Sequence, residues 1–201
     1  NLCKKYKIHL ILDEVATGFG RTGKMFAFEH CKNIKADFIC ISKGITSGTL
    51  PLSATLTTDE IYSAFYDDYS KKKTFYHGHT YTANPIACAV ALASLDIFEK
   101  ENTLKNIQPI VNKLGKGLEK FKKLKNVGDV RNLGMVGVIE FTGFVFEDRI
   151  GYKIYKEGLK HNLILRPLGN VLYLYLPLCI SENELNYILN KMYLVCKKFE
   201  K

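Results

Sequence analysis

The chain has 201 residues, 47% of them hydrophobic, and a formal net charge of +9. That length allows one sizeable domain or one and a half small ones, and no apolar run is long enough to cross a bilayer as a helix. The positive charge does not point to nucleic acid, because the lysines are spread along helices, as in "KNIQPIVNKLGKGLEKFKKLK", and are not interleaved with stacking aromatics.

The opening "NLCKKYKIHL" has neither an initiator methionine nor an apolar signal core. It reads as the middle of an α/β unit, so the chain is expected to be a fragment whose N-terminal part is absent. Three unbroken apolar runs follow, "IHLILD" at 8–13, "DFICIS" at 37–42 and "LSATLTT" at 52–58. Runs without alternation suit strands of a mostly parallel sheet with helices on both faces. Thr57 and Glu60 have capping-box spacing and predict a short helix near "EIYSAF". Asn84 and Pro85 supply an N-cap and a first-turn proline for "PIACAVALASLDIFEK", which is apolar nearly all round and expected to be buried.

From residue 101 the pattern changes. Leu104, Ile107, Val111, Leu114, Leu118 and Phe121 form one helical stripe with lysines on the other face. "VGDVRNLGMVGVIEF" reads as two strands joined near Leu133 and Gly134, followed by a helix around 148–161. "NLILRPLG" and "NVLYLYLPL" read as a strand pair, with Tyr173 and Tyr175 alternating with leucines. Ser181 and Glu184 form a second capping box, which opens a last helix. Residues 1–100 are thus expected to form part of a larger α/β domain, and 101–201 a small α+β domain.

The six cysteines, at 3, 31, 40, 88, 179 and 196, show no CxxC pair and no compact zinc spacing. Cys40, Cys88 and Cys196 lie in apolar stretches, where free cysteine acts as a small hydrophobe. A reduced, cytoplasmic setting is expected. His77 and His79 have no third ligand at a suitable spacing, so no metal is expected.

Two strand ends carry possible chemistry. The first run ends in Asp13-Glu14 and enters the glycine-rich "VATGFGRTG", as at the carboxyl-end crevice of an open α/β sheet. Taken alone, Asp13 reads equally as a turn or N-cap residue. Glycines 18, 20 and 23 do not make the dinucleotide fingerprint, since no helix starts there, and "SKGITSG" reverses the order of a P-loop. The second run ends in Lys43, which by itself reads as a solvated strand end. Together, one acid and one amine suit pyridoxal phosphate (PLP). That cofactor needs a lysine for its Schiff base and an acidic partner for its ring nitrogen, and the lysine can then move a proton as base and acid.

"DEVATGFGRTGKMFAFEH", "ISKGITSGTLPLSATLTT" and "FYHGHTYTANPIACAVALASLDIFE" together resemble the class III, fold type I, PLP-dependent aminotransferases. The resemblance covers essentially the whole chain, with its motifs in the family's order. It implies the C-terminal part of a fold type I transferase, acting on small molecules as a homodimer with its active site at the interface. It also implies residue roles. Asp13 would partner the pyridine nitrogen, Val15 would pack on the ring, and Lys43 would hold the cofactor. Thr80 would reach the phosphate of the neighbouring subunit's cofactor, beside His79, while Gly78 would line the substrate pocket. Arg166 would hold the carboxylate of a keto-amino acid acceptor, a geometry an arginine fork suits. Arg21 is expected to fix a loop. The family's first half, with its glycine-serine phosphate turn and ring-stacking aromatic, has no counterpart here, so the isolated chain is expected to be inactive. "LPLCIS" also departs from a stretch that is usually rich in methionine and proline. Another ω-amine aminotransferase, of the 4-aminobutyrate or ornithine type, is the alternative.

Overall fold

A computed structural model describes residues 2–200. The chain divides into two compact units, Asn1–Phe19 with Lys24–Asn102, and Gly20–Gly23 with Thr103–Lys201.

In the first unit a short helix α1 (Leu2–Tyr6) leads into β1 (Ile11–Asp13), β2 (Phe38–Ile41) and β3 (Ala54–Thr57). The strands form one sheet in the order β1-β2-β3. β1 and β2 are parallel, with Asp13 opposite Cys40, and β2 and β3 are antiparallel, with Ile41 opposite Ala54. The mostly parallel sheet covered on both faces is therefore not what forms. Of the two strand pairs only β1–β2 is parallel, and all four residues of β3 are exposed. An apolar run reports that a strand can be covered, but the path of the connecting segment decides its direction.

α2 (Asp59–Ser63) follows, capped by Thr58, whose side chain accepts from the Ile61 N–H. The predicted cap, Thr57, lies one residue too early. It ends β3, and its hydroxyl donates to the Asp37 carbonyl. α3 (Pro85–Lys100) starts where expected, with the Asn84 side chain accepting from Ile86 and Ala87. Its predicted burial does not hold. Only Ala87, Ala91 and Ser94 of this helix are buried, while Ile86, Leu92 and Ile97 are exposed. Small side chains at this spacing form a stripe on one face of a helix.

The second unit runs through α4 (Thr103–Asn106), α5 (Gln108–Leu118), β4 (Val127–Leu133), β5 (Val136–Phe141), α6 (Ile150–Leu159), β6 (Arg166–Leu168), β7 (Val171–Tyr175) and α7 (Glu182–Lys197). Its sheet, in the order β4-β5-β7-β6, is wholly antiparallel. The strands alternate as antiparallel strands with one covered face do: every second residue of β5 is buried, and in β7 the buried Leu172 and Leu174 alternate with half-buried Val171 and Tyr173 and exposed Tyr175. The predicted stripe is the core, with Ile107, Leu114, Leu118 and Phe121 at most 2% exposed, packed with Leu185, Leu189 and Met192 of α7. Burying each such side chain contributes about 1.5–3 kcal/mol. α7 begins with the predicted capping box of Ser181 and Glu184.

Residues 20–23 are built into this unit. The Arg21 guanidinium lies 4.0 Å from the Tyr175 ring centroid and donates to the Leu176 carbonyl, while the Arg21 carbonyl accepts from the Met135 N–H. Arg21 fixes a loop, as expected. Gly134 turns beside it with φ +56°, where an added Cβ would stand 2.1 Å from the Thr22 carbonyl carbon, so only glycine fits. Among the described residues, no helix is long and apolar enough to cross a membrane.

Candidate active site

The first unit places Asp13 and Lys43 at the carboxyl ends of adjoining parallel strands. Asp13 is the last residue of β1 and stands opposite Cys40, three residues before Lys43. Ligands of open α/β sheets bind at such strand ends. Both residues are exposed. Asp13 Oδ1 accepts the Val15 N–H at 3.0 Å, which uses only part of a carboxylate's acceptor capacity. Val15 follows, half-buried.

Lys43 opens a single helical turn, Lys43–Thr46, and its φ is +45°. For an L-residue this left-handed region costs about 1–2 kcal/mol, so the surrounding structure must hold it. Thr46, 1% exposed, donates to the Leu50 carbonyl, and the Ser47 hydroxyl lies 2.7 Å from that of Ser94 on α3. The small-residue stripe of α3 therefore packs where the turn needs close approach.

Two residues that carry no motif of their own shape this end of the sheet. Glu14 is 3% exposed, and its carboxyl group accepts from the Ala27 N–H at 3.0 Å, the Phe28 N–H at 2.8 Å and the Thr17 hydroxyl. It ties the glycine-rich loop back to the end of β1. Glu14 follows the last residue of β1, and its burial depends on the segment around Ala27 and Phe28 that covers it. Phe19, 4% exposed, packs edge-on against Phe26 and Phe98. No sequence signal marks it, because one partner, Phe98, lies far along the chain and neither contact follows a helix or strand period.

Gly78, His79 and Thr80 lie in an exposed segment before α3. His79 Nδ1 accepts the Tyr81 N–H at 3.1 Å, and the His79 N–H donates to Thr82 Oγ1 at 3.0 Å, a local turn that Thr80 enters. Arg166 belongs to the second unit, exposed at the start of β6 and paired in register with Tyr173. Among the described residues, no group of three His, Cys, Asp or Glu is placed to hold a metal ion.

A strand-end acid and a strand-end lysine on an α/β sheet are joined by a family match. The sequence matches aminotransferase class-III over residues 1–195, and the chain belongs to that family, which typically uses PLP. It is 47% identical to the adenosylmethionine-8-amino-7-oxononanoate aminotransferase of Aquifex aeolicus, over 100% of this chain and 46% of that protein. The crystal structure of the Methanocaldococcus jannaschii enzyme of the same name superposes with a TM-score of 0.93 at 46% identity, covering 98% of this chain and 47% of that one. An (S)-enantioselective omega-transaminase from Thermomicrobium roseum superposes with a TM-score of 0.90 at 32% identity, over 98% of this chain and 45% of that one. The chain spans about half the length of the curated relatives it matches.

Proposed function

We propose that the chain carries the lysine-bearing part of an aminotransferase that converts 8-amino-7-oxononanoate to 7,8-diaminononanoate in biotin biosynthesis, with S-adenosylmethionine as amino donor. The observation that carries this reading is the placement of Asp13 and Lys43 on adjoining parallel strand ends, in a chain nearly half identical to enzymes of that name. In this reading the acid serves the ring nitrogen of PLP and the amine its aldehyde. When bound, the cofactor supplies an electron sink for the carbon that loses its proton.

In this reading Asp13 keeps the ring nitrogen protonated and Val15 packs on the ring face. Lys43 anchors the cofactor and then moves a proton at the substrate carbon as general base and acid. His79 and Thr80 hold the phosphate, with Thr80 serving the neighbouring subunit of a homodimer, and Gly78 leaves room for substrate. Arg166 holds the acceptor's carboxylate, a feature that favours a keto-amino acid over a simple ω-amine. Six free cysteines accord with a reduced, cytoplasmic setting.

The test is an assay of the PLP-loaded full-length enzyme with 8-amino-7-oxononanoate and S-adenosylmethionine, and separately with 4-aminobutyrate or ornithine and a keto acid. Diamine product from the first mixture is expected. Turnover confined to the second would replace this function with that of an ω-amine aminotransferase.

A further inference from the structure

The left-handed entry at Lys43 is held from outside its own turn. Gly44 lies so close to Phe19 that an added Cβ would stand 2.7 Å from Phe19 Cβ and 2.9 Å from Cδ2. Phe19 cannot readily yield, being itself buried with φ +58° and set edge-on against Phe26 and Phe98 at 5.6 and 6.5 Å between ring centroids. The next residues of the turn are fixed by Thr46 on Leu50 and Ser47 on Ser94. Phe19 therefore closes one side of a turn already fastened further along.

We infer that Phe19 is a positioning residue for Lys43. Its ring against Gly44 keeps the Lys43 backbone in one orientation, so that a long, exposed side chain samples fewer misdirected poses. The inference rests on the proposed role of Lys43 as the cofactor-anchoring lysine. Holding a reacting group near its attack geometry is worth orders of magnitude in rate, and a displacement near 1 Å can cost about a hundredfold.

The experiment follows capture of PLP by Lys43 in the full-length enzyme. The lysine amine adds to the cofactor's aldehyde carbon and water leaves. Borohydride then delivers hydride to the carbon–nitrogen double bond and makes the link permanent, for location by peptide mass. Phe19→Leu, which keeps a buried apolar side chain, and Gly44→Ala, which crowds the contact, are compared with the parent. Each is also made in a Lys43→Ala background, where PLP binding is non-covalent and is measured by dialysis. Capture about tenfold slower or more in both variants, with unchanged PLP affinity in the Lys43→Ala background, is the expected result. Unchanged capture rates would overturn the inference, as would an equal loss of non-covalent affinity, which marks a merely structural contact. The reading of Lys43 fails separately if the parent protein captures PLP at another lysine or at none.

Discussion

The buried carboxylate of Glu14 accepts the Phe28 backbone N–H at 2.8 Å, fastening the far side of the glycine-rich loop to the residue next to Asp13. Glu14→Ala leaves that amide and the Ala27 amide without this acceptor, while the Thr17 hydroxyl keeps only its longer contact, 3.5 Å, to the Asp13 carbonyl. A fully buried donor so abandoned costs about 1–3 kcal/mol, and these half-buried amides should cost less each. Glu14→Gln keeps the volume but turns an amino group toward one amide donor, so an intermediate loss is expected. Urea unfolding of both variants measures this, and midpoints equal to the parent's would show that the loop does not depend on Glu14.

The proposed roles of Lys43 and Arg166 separate kinetically. Lys43→Ala removes the borohydride-fixed adduct and lowers turnover by about 10²–10⁴-fold, the usual worth of a positioned acid–base group. Arg166→Ala instead raises KM for the carboxylate-bearing acceptor about 10–100-fold, the equivalent of a lost charged hydrogen bond, with kcat largely kept. An unchanged KM would remove Arg166 from the substrate pocket.

Glu157 on α6 meets the end of α7. Hydrogen bonds from Lys160, at 2.9 Å, and from Lys198 hold its carboxyl at about 2, against an ordinary 4.5. A carboxyl with a lowered folded-state pKa stabilises fully above its unfolded value and loses that contribution as pH falls through the folded one. The second unit should therefore lose stability between about pH 4.5 and about pH 2. Glu157→Gln should be less stable than the parent near neutral pH and show a flatter fall across that window. Acid titration followed by circular dichroism checks both, and parallel curves for parent and variant would exclude Glu157 as the source.

Cys196 is 1% exposed in the core of the second unit, and burial pushes its thiol up to about 12. The thiolate is the reactive form, so this cysteine should stay silent toward a thiol reagent in the native protein. Cys31 and Cys179, both exposed, should react within the first phase. Counting thiols with and without denaturant tests this, and native labelling of Cys196 would show that α7 opens readily.

Legibility followed the range of each signal. Asn84 and Ser181 are legible as caps because a cap is a contact between residues two or three positions apart, and both cap their helices in the structure. Thr57 failed by one residue because two adjacent threonines offer the same chemistry, and only the end of β3 chooses between them. The stripe from Ile107 to Phe121 became core because its period matches one helix face. The apolar runs of the first unit gave strands but not their direction, which depends on the path of the chain between them. α3 looked buried from composition, yet an apolar residue is buried only where something covers it.

The order of residues alone determined that an acid ends one strand and an amine closely follows another, that helices start at Asn84 and Ser181, and which stripe would leave water. All of these are local or periodic properties, encoded within a few turns of chain. Only the tertiary structure decided that the two strands adjoin in parallel and that Glu14 turns inward to hold a loop. It also decided that Phe19, a residue with no motif, presses on the glycine after Lys43. Such contacts join segments far apart in the chain, and packing energy, which has no sequence period, selects them.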